Sequence, residues 1–97
     1  MKGKLEILRI LKRELPYIKD KYRVRRIALF GSFVRGEQNK KSDVDLLVEF
    51  EESVGYFKFI ELEDYLTMKL GAKVDLVTPD ALKPIIKPDI MGEAVYA

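Results

Sequence analysis

The sequence predicts an α+β fold with two layers, in which a small mixed β-sheet of three or more strands is flanked by helices. Two segments carry apolar residues at helical spacing, and three short segments alternate apolar residues as strands do. Glycine or proline separates most of these segments. The chain has 97 residues, and we expect residues 1–97 to form a single domain.

The first predicted element is a helix over residues 3–19. Its apolar residues recur every three or four positions, which places them on one face: Leu8, Leu11, Leu15 and Ile18. Pro16 is expected to kink this helix or to begin a new turn, because proline cannot donate the helical hydrogen bond.

The segment YRVRRIALFG changes to the period of a strand, and Gly31 ends it. The alternation divides its apolar side chains between two faces, with Ile27 and Leu29 opposite Ala28 and Phe30. The following SFVRGEQNKKS is predicted to be a connection, in which Ser32 caps a single helical turn and Gly36 stops it.

In the second half, DVDLLVEF and KVDLVT (73–78) are predicted strands, and residues 56–70 between them are a predicted helix. The apolar stripe of that helix consists of Phe59, Leu62, Leu66 and Leu70, with Gly71 as its stop. Pro79 and Asp80 are expected to open another helix, with Thr78 as its cap. The tail DIMGEAVYA is expected to form a last turn or a short strand.

The composition excludes several classes of chemistry. Hydrophobic residues make up 47% and charged residues 35%, which is typical of a soluble globular protein rather than a disordered one. The absence of cysteine and histidine excludes disulfides, thiolate catalysis, the usual zinc sites and Ser-His triads. No apolar run approaches the roughly 20 residues that span a bilayer, and the charged amino terminus is no secretory signal. We therefore expect a cytoplasmic protein without a membrane partner.

Three aspartates are the candidate catalytic and metal-binding residues. Asp43 and Asp45 share a face of the second strand, and Asp75 reaches the same face if the second and third strands are neighbours. Clustered carboxylates repel one another, and a divalent cation such as Mg²⁺ removes that cost and prefers oxygen ligands. Ordinary alternatives stay open, because Asp43 suits a turn and the other two can face solvent.

A turn after the first strand is the candidate nucleotide-binding element. Gly31 lets the backbone approach a ligand, and Ser32 opens a helical turn whose N–H groups attract phosphate. Arg35 lies one turn further on and can hold a phosphate with two hydrogen bonds. Each feature alone also suits a plain surface turn. The turn and the aspartates together supply both halves of a nucleoside triphosphate site, and predict nucleotidyl transfer.

The stretch GSFVRGEQNKKSDVD resembles the signature of the DNA polymerase β-like nucleotidyltransferase superfamily, in which Gly-Ser precedes Asp-x-Asp by about ten residues. Here ten residues separate Ser32 from Asp43. The frame from residue 24 to residue 96 resembles the minimal nucleotidyltransferase (MntA-like) group. The resemblance assigns Gly31 and Ser32 to the nucleotide phosphates, and the three aspartates to metal binding. It also implies that Asp75 ligates metal or assists deprotonation of the nucleophile.

The resemblance implies a toxin–antitoxin setting. Proteins of this group pair with HEPN-domain ribonuclease toxins, and neutralise them by transferring AMP from ATP to a toxin tyrosine, by forming a complex, or by both. Larger relatives carry an added domain for the second substrate, and we expect a partner protein to present the acceptor here. A nucleic-acid nucleotidyltransferase is a further alternative that only KYRVRR supports, so nucleic acid is not the expected partner. Whether the chain forms homo- or hetero-oligomers stays open.

Overall fold

A computed structural model describes residues 3–97 of the chain. Four helices and four strands follow one another with a 3₁₀ turn, Pro79–Ala81, between the third strand and the last helix. In chain order they are α1 Lys4–Tyr22, β1 Val24–Phe30, α2 Ser32–Arg35, β2 Val44–Phe50, α3 Tyr56–Leu70, β3 Val74–Val77, α4 Lys87–Glu93 and β4 Val95–Tyr96.

The four strands form one mixed sheet in the order β3-β2-β1-β4. β2 and β3 are parallel, because α3 crosses over between them, while β1 is antiparallel to both β2 and β4. The predicted fold class, a small mixed sheet flanked by helices, is confirmed. The adjacency of β2 and β3 places the two Asp-containing strands side by side.

One face of the sheet packs against α1 and α3 and forms the main core. Leu62, Leu66 and Leu70 of α3 are fully buried there, as the predicted stripe requires. On α1 the predicted stripe is confirmed in part. Leu11 and Ile18 are fully buried, whereas Leu8 and Leu15 only pack against the margin of the core. Ile7 and Ile10, which the predicted stripe did not include, are also buried.

The alternative in which Pro16 begins a new turn is wrong, and the kink stays a prediction. α1 runs continuously past Pro16 to Tyr22, and Pro16 is exposed on its surface. A proline on the outer side removes one hydrogen bond from a helix that its buried face already holds in place.

The other face of the sheet is covered by the carboxyl-terminal segment. Ala28, Phe30 and Leu47 form a small second core there, and contact residues of that segment that include Leu82, Ile90, Met91 and Tyr96. The tail thus contains both a helix, α4, and a short strand, β4, where we expected one or the other. Within residues 3–97, no helix combines the length and the apolar character that crossing a bilayer requires.

One of the two predicted N-caps differs from the structure. Gly31, not Ser32, is the N-cap of α2, because the chain leaves β1 at φ 79° and ψ −151°, a conformation open essentially only to glycine. Thr78 is the N-cap of the helical turn that Pro79 opens, as predicted, but that turn is the three-residue Pro79–Ala81 and Thr78 makes no side-chain capping bond. Gly36 and Gly71 end their helices in the left-handed conformation, as predicted.

Candidate active site

Asp45 and Asp75 lie directly opposite each other on the adjacent parallel strands β2 and β3. Neighbouring strands are about 4.8 Å apart, so the two carboxylates start from adjacent backbone positions on one face. That face is the one with Leu47, because Leu46 and Val48 point into the helix-covered core. Asp45 is half-buried and Asp75 is exposed, which makes the pair accessible from the second face of the sheet.

Asp43 lies just before β2 and is half-buried. Its charge acts on Asp45, whose pKa is raised from 3.8 to about 6 by burial first, then by the charges of Asp75 and Asp43. The structure therefore gathers the charges of the three predicted aspartates around Asp45. Negative charge that the fold itself does not neutralise favours a cation at this position.

Gly31 lies against the Asp45 carboxylate. A β carbon built on Gly31 would overlap Oδ2 of Asp45 and would lie 3.0 Å from its Cγ. Gly31 is itself buried, and its positive φ turns the chain from β1 directly into α2. The close approach of turn and carboxylate is therefore possible only because residue 31 has no side chain.

Ser32 is the first residue of α2 and is half-buried, so its hydroxyl and the first N–H groups of the turn lie beside Gly31. Arg35, the last residue of α2, is exposed and donates through Nε to Oε1 of Glu37 at 2.9 Å. All three predicted nucleotide-binding residues thus lie on one turn next to Asp45. Their roles, like those of the aspartates, stay predictions.

Glu93, at the end of α4, is a further residue of this cluster that sequence reasoning missed. Its Oε2 accepts the Gly31 N–H at 2.9 Å, and Nη1 of Arg35 lies 3.1 Å from each of its carboxylate oxygens. Glu93 and Arg35 are 58 positions apart. No local pattern connects them, and the only signal was an acidic residue in an otherwise mostly apolar tail, MGEAVYA.

The aspartates suit Mg²⁺ through their donor atoms, since they offer only carboxylate oxygens. Within residues 3–97, no three acidic side chains converge closely enough to form a complete ligand set by themselves. Mg²⁺ usually binds one or two carboxylates and takes its other ligands from water and substrate phosphates. The pair Asp45 and Asp75, with the charge of Asp43 beside it, fits that pattern.

A cleft of about 630 Å³ lies elsewhere, at the carboxyl ends of β2 and β3. Its walls include Glu49, Phe50, Tyr56 and Pro79, and none of the six predicted site residues. Asp75 and Arg35 are exposed, so the candidate site is an open face of the sheet.

Comparison with known proteins agrees with the sequence signature. The profile of the family described as nucleotidyltransferase domain matches residues 6–97. Protein adenylyltransferase MntA of Thermococcus cleftensis is 47% identical over 91 residues, which cover 94% of this chain and 92% of that protein. A Methanocaldococcus jannaschii protein assigned to the protein adenylyltransferases is 52% identical over 97 residues, covering 99% of each chain.

Solved structures share the fold. A protein assigned as a minimal nucleotidyltransferase superposes with a TM-score of 0.78 at 34% identity, over 94% of this chain and 93% of that one. A complex of an AMPylated Shewanella oneidensis HEPN toxin with an MNT antitoxin gives a TM-score of 0.59 at 21% identity, over 94% of this chain and 65% of the matched one. At that identity the second likeness concerns the fold alone.

Proposed function

The chain belongs to the nucleotidyltransferase domain family, and on that premise we propose that it is a Mg²⁺-dependent protein adenylyltransferase. It transfers AMP from ATP to a tyrosine hydroxyl of a partner HEPN-domain ribonuclease toxin, and so acts as the antitoxin. Two observations outside the site support the acceptor. The two relatives described above are assigned as protein adenylyltransferases, and a structural neighbour is a complex that contains an AMPylated HEPN toxin. ATP, the proposed substrate of the chain, and the RNA that a HEPN ribonuclease toxin cleaves are both found in the cytoplasm. We therefore propose that the chain is cytoplasmic.

The turn at Gly31 holds the triphosphate. The N–H groups at the start of α2 and the Ser32 hydroxyl donate to phosphate oxygens, and Arg35 adds a guanidinium one helical turn later. Since Gly31 lies against Asp45, phosphates on this turn are held beside the aspartates. The α-phosphate is thereby positioned at the carboxylates rather than in solvent.

Asp45 and Asp75 would hold Mg²⁺, and the charge of Asp43 beside them would add to the attraction for the cation. When bound, the metal neutralises negative charge on the phosphates and favours ionisation of the attacking hydroxyl. The raised pKa of Asp45, about 6, still leaves that carboxylate ionised at neutral pH. Asp75, the exposed member of the pair, faces the incoming acceptor.

The reaction exchanges one phosphorus–oxygen bond for another. The tyrosine oxygen attacks the α-phosphorus, the bond to the bridging oxygen of the β-phosphate breaks, and pyrophosphate leaves. The hydroxyl proton passes to the Asp75 carboxylate and then to solvent. No histidine or cysteine is needed at any step, in agreement with the composition.

The observation that carries this proposal is the register of Asp45 with Asp75 beneath the Gly31 turn. It is tested by incubating the protein with α-labelled ATP, Mg²⁺ and a candidate HEPN-domain toxin. We expect label on the partner, lost in Asp45→Asn and retained in Asp64→Asn, which changes an exposed aspartate of α3. Equal labelling by both variants would refute the assignment of Asp45.

A second candidate function is neutralisation by complex formation without transfer. It is favoured by the structural neighbour, which is a toxin in complex with its antitoxin. The same Asp45→Asn variant separates the two functions when it is co-expressed with the toxin. Full protection of growth by this variant would show that binding suffices, whereas loss of protection would show that neutralisation requires AMP transfer.

A further inference from the structure

The carboxylate of Glu93 occupies the two groups that the proposed function assigns to phosphate binding. It accepts the Gly31 backbone N–H at 2.9 Å, and both of its oxygens lie 3.1 Å from Nη1 of Arg35. A backbone N–H at a glycine turn together with a guanidinium is a typical set of donors for a phosphate oxygen. Glu93 therefore lies where an anionic ligand of the turn would have to bind.

The position of Glu93 is set by the tail and not by the turn. It is the last residue of α4, whose Ile90 and Met91 pack on the second core beside Phe30. The Glu93 side chain is only 23% exposed, compared with 50% for Arg35. Release of Arg35 and Gly31 therefore requires a shift of this side chain, or of the end of α4, away from the sheet.

Glu93 is also unfavourable for the neighbouring carboxylate. Glu93 bonds the Gly31 turn, and Gly31 lies against Asp45, so the charge of Glu93 adds to the negative charge of the aspartates. An acid placed beside three aspartates is electrostatically costly unless donors hold it there. The hydrogen bonds from Gly31 and Arg35 supply that compensation, and a triphosphate would compete for both.

We propose that Glu93 is an intramolecular competitor of the triphosphate, which closes the nucleotide turn until a nucleotide displaces it. This inference rests on the proposed function, because it takes the Gly31 turn as the phosphate site. A single N–H cannot serve both acceptors well, so nucleotide binding and the Glu93 contact exclude each other. The apparent association constant for nucleotide is then the intrinsic constant multiplied by the fraction of molecules in which Glu93 bonds neither Gly31 nor Arg35.

Calorimetric titration of the wild type and Glu93→Gln with inorganic tripolyphosphate, without Mg²⁺, tests the competition directly. The glutamine keeps the size of the side chain but loses the charge that pairs with Arg35. We expect about ten-fold tighter binding of tripolyphosphate, since hydrogen bonds to charged groups contribute that order of free energy. ATP should show the same gain, and adenosine none.

Glu37→Gln is the matched control. Glu37 also bonds Arg35, through Nε at 2.9 Å, but belongs to the loop after α2 and has no part in the Gly31 contact. We expect its tripolyphosphate affinity to stay within about two-fold of the wild type, because the Gly31 N–H is unaffected. An equal gain in both variants would show a general charge effect on Arg35 and would overturn the competition.

A purely structural Glu93 predicts the opposite direction. If Glu93 only shapes the turn, Glu93→Gln and Glu93→Ala will bind tripolyphosphate as weakly as the wild type or more weakly. That result overturns the inference, but it leaves the proposed function intact if the wild type still transfers AMP. A cooperative thermal unfolding transition, measured for each variant, shows that the variant is folded under the conditions of the titration. Absence of tripolyphosphate and ATP binding in all variants, together with no AMP transfer, overturns the proposed function and this inference with it.

Discussion

Replacement of Gly31 by alanine tests the close approach between the nucleotide turn and the aspartates. Residue 31 has φ 79° and ψ −151°, which costs about 1–3 kcal/mol for a residue with a β carbon. The new methyl group would also overlap Oδ2 of Asp45, and displacing a packed side chain costs about 1–3 kcal/mol more. The expected loss is roughly 2–6 kcal/mol, which lowers Tm by about 10 °C or more in a domain of this size.

Alanine substitutions at two other glycines distinguish the cost of backbone strain from the cost of the contact with Asp45. Gly36 has φ 72° with open space around its β position, so Gly36→Ala should cost only about 1–2 kcal/mol of backbone strain. Gly55 has φ −69° and open space but is the N-cap of α3, where alanine is less favourable than glycine, so Gly55→Ala should cost less than about 1 kcal/mol. Thermal and urea unfolding of the three variants gives the comparison.

A double-mutant cycle isolates the contact itself. In an Asp45→Ala background the Oδ2 and Cγ atoms are gone, so Gly31→Ala should cost about 1–3 kcal/mol less than in the wild type. The reasoning is refuted if Gly31→Ala destabilises no more than Gly36→Ala, or if the cycle shows no coupling between positions 31 and 45.

Three further predictions concern titration and the core. The pKa of Asp45 is raised from 3.8 to about 6, so the folded protein resists ionisation of this carboxyl group. The free energy of unfolding therefore decreases as the pH rises from about 4 to 6. The free energy of unfolding of Asp45→Asn should therefore exceed that of the wild type by about 1–2 kcal/mol at pH 7, after allowance for solvent screening, and by nothing below about pH 4. Equal dependence of the two free energies on pH would contradict this. Burial, and then a hydrogen bond from the hydroxyl to Glu61 in Tyr22 and to Glu14 in Tyr65, raise the pKa of both tyrosines to about 12. Tyr22→Phe should therefore remove a component that titrates at high pH from the tyrosinate absorbance curve. Removal of a component that titrates at lower pH would contradict this. In α3, Leu66→Ala should cost about 2–5 kcal/mol because Leu66 is fully buried, whereas Met68→Ala, at an exposed position, should cost less than about 0.5 kcal/mol; comparable urea midpoints would argue against the described core.

The sequence was sufficient to predict the fold class, because the periods of helices and strands are local properties. It placed Asp75 on the face of Asp45 only on condition that the two strands are neighbours, and the structure meets that condition. The bounds of α3 were predicted to the residue, because its stripe and its Gly71 stop agree. The roles of the six site residues stay predictions.

The failures have a common physical cause, which is that tertiary packing decides between local alternatives. Pro16 is tolerated because it lies on the outer side of a helix that is held by its buried face. The cap moved from Ser32 to Gly31 because the close approach to Asp45 fixes the backbone there. Glu93 meets Arg35 only because the tail folds back over the second face, and a contact across 58 positions leaves no periodic trace in the sequence.

The unequal cores on the two sides of the sheet separate folding from chemistry. The side covered by α1 and α3 holds most of the buried apolar residues, while the aspartates and the glycine turn lie on the thinly covered side. Substitutions of the proposed metal-binding aspartates, such as Asp45→Asn, are expected to remove activity and yet leave a well-folded and more stable protein. A mutant library screened for solubility alone would retain these inactive proteins, so only a functional selection can map the residues that matter for transfer.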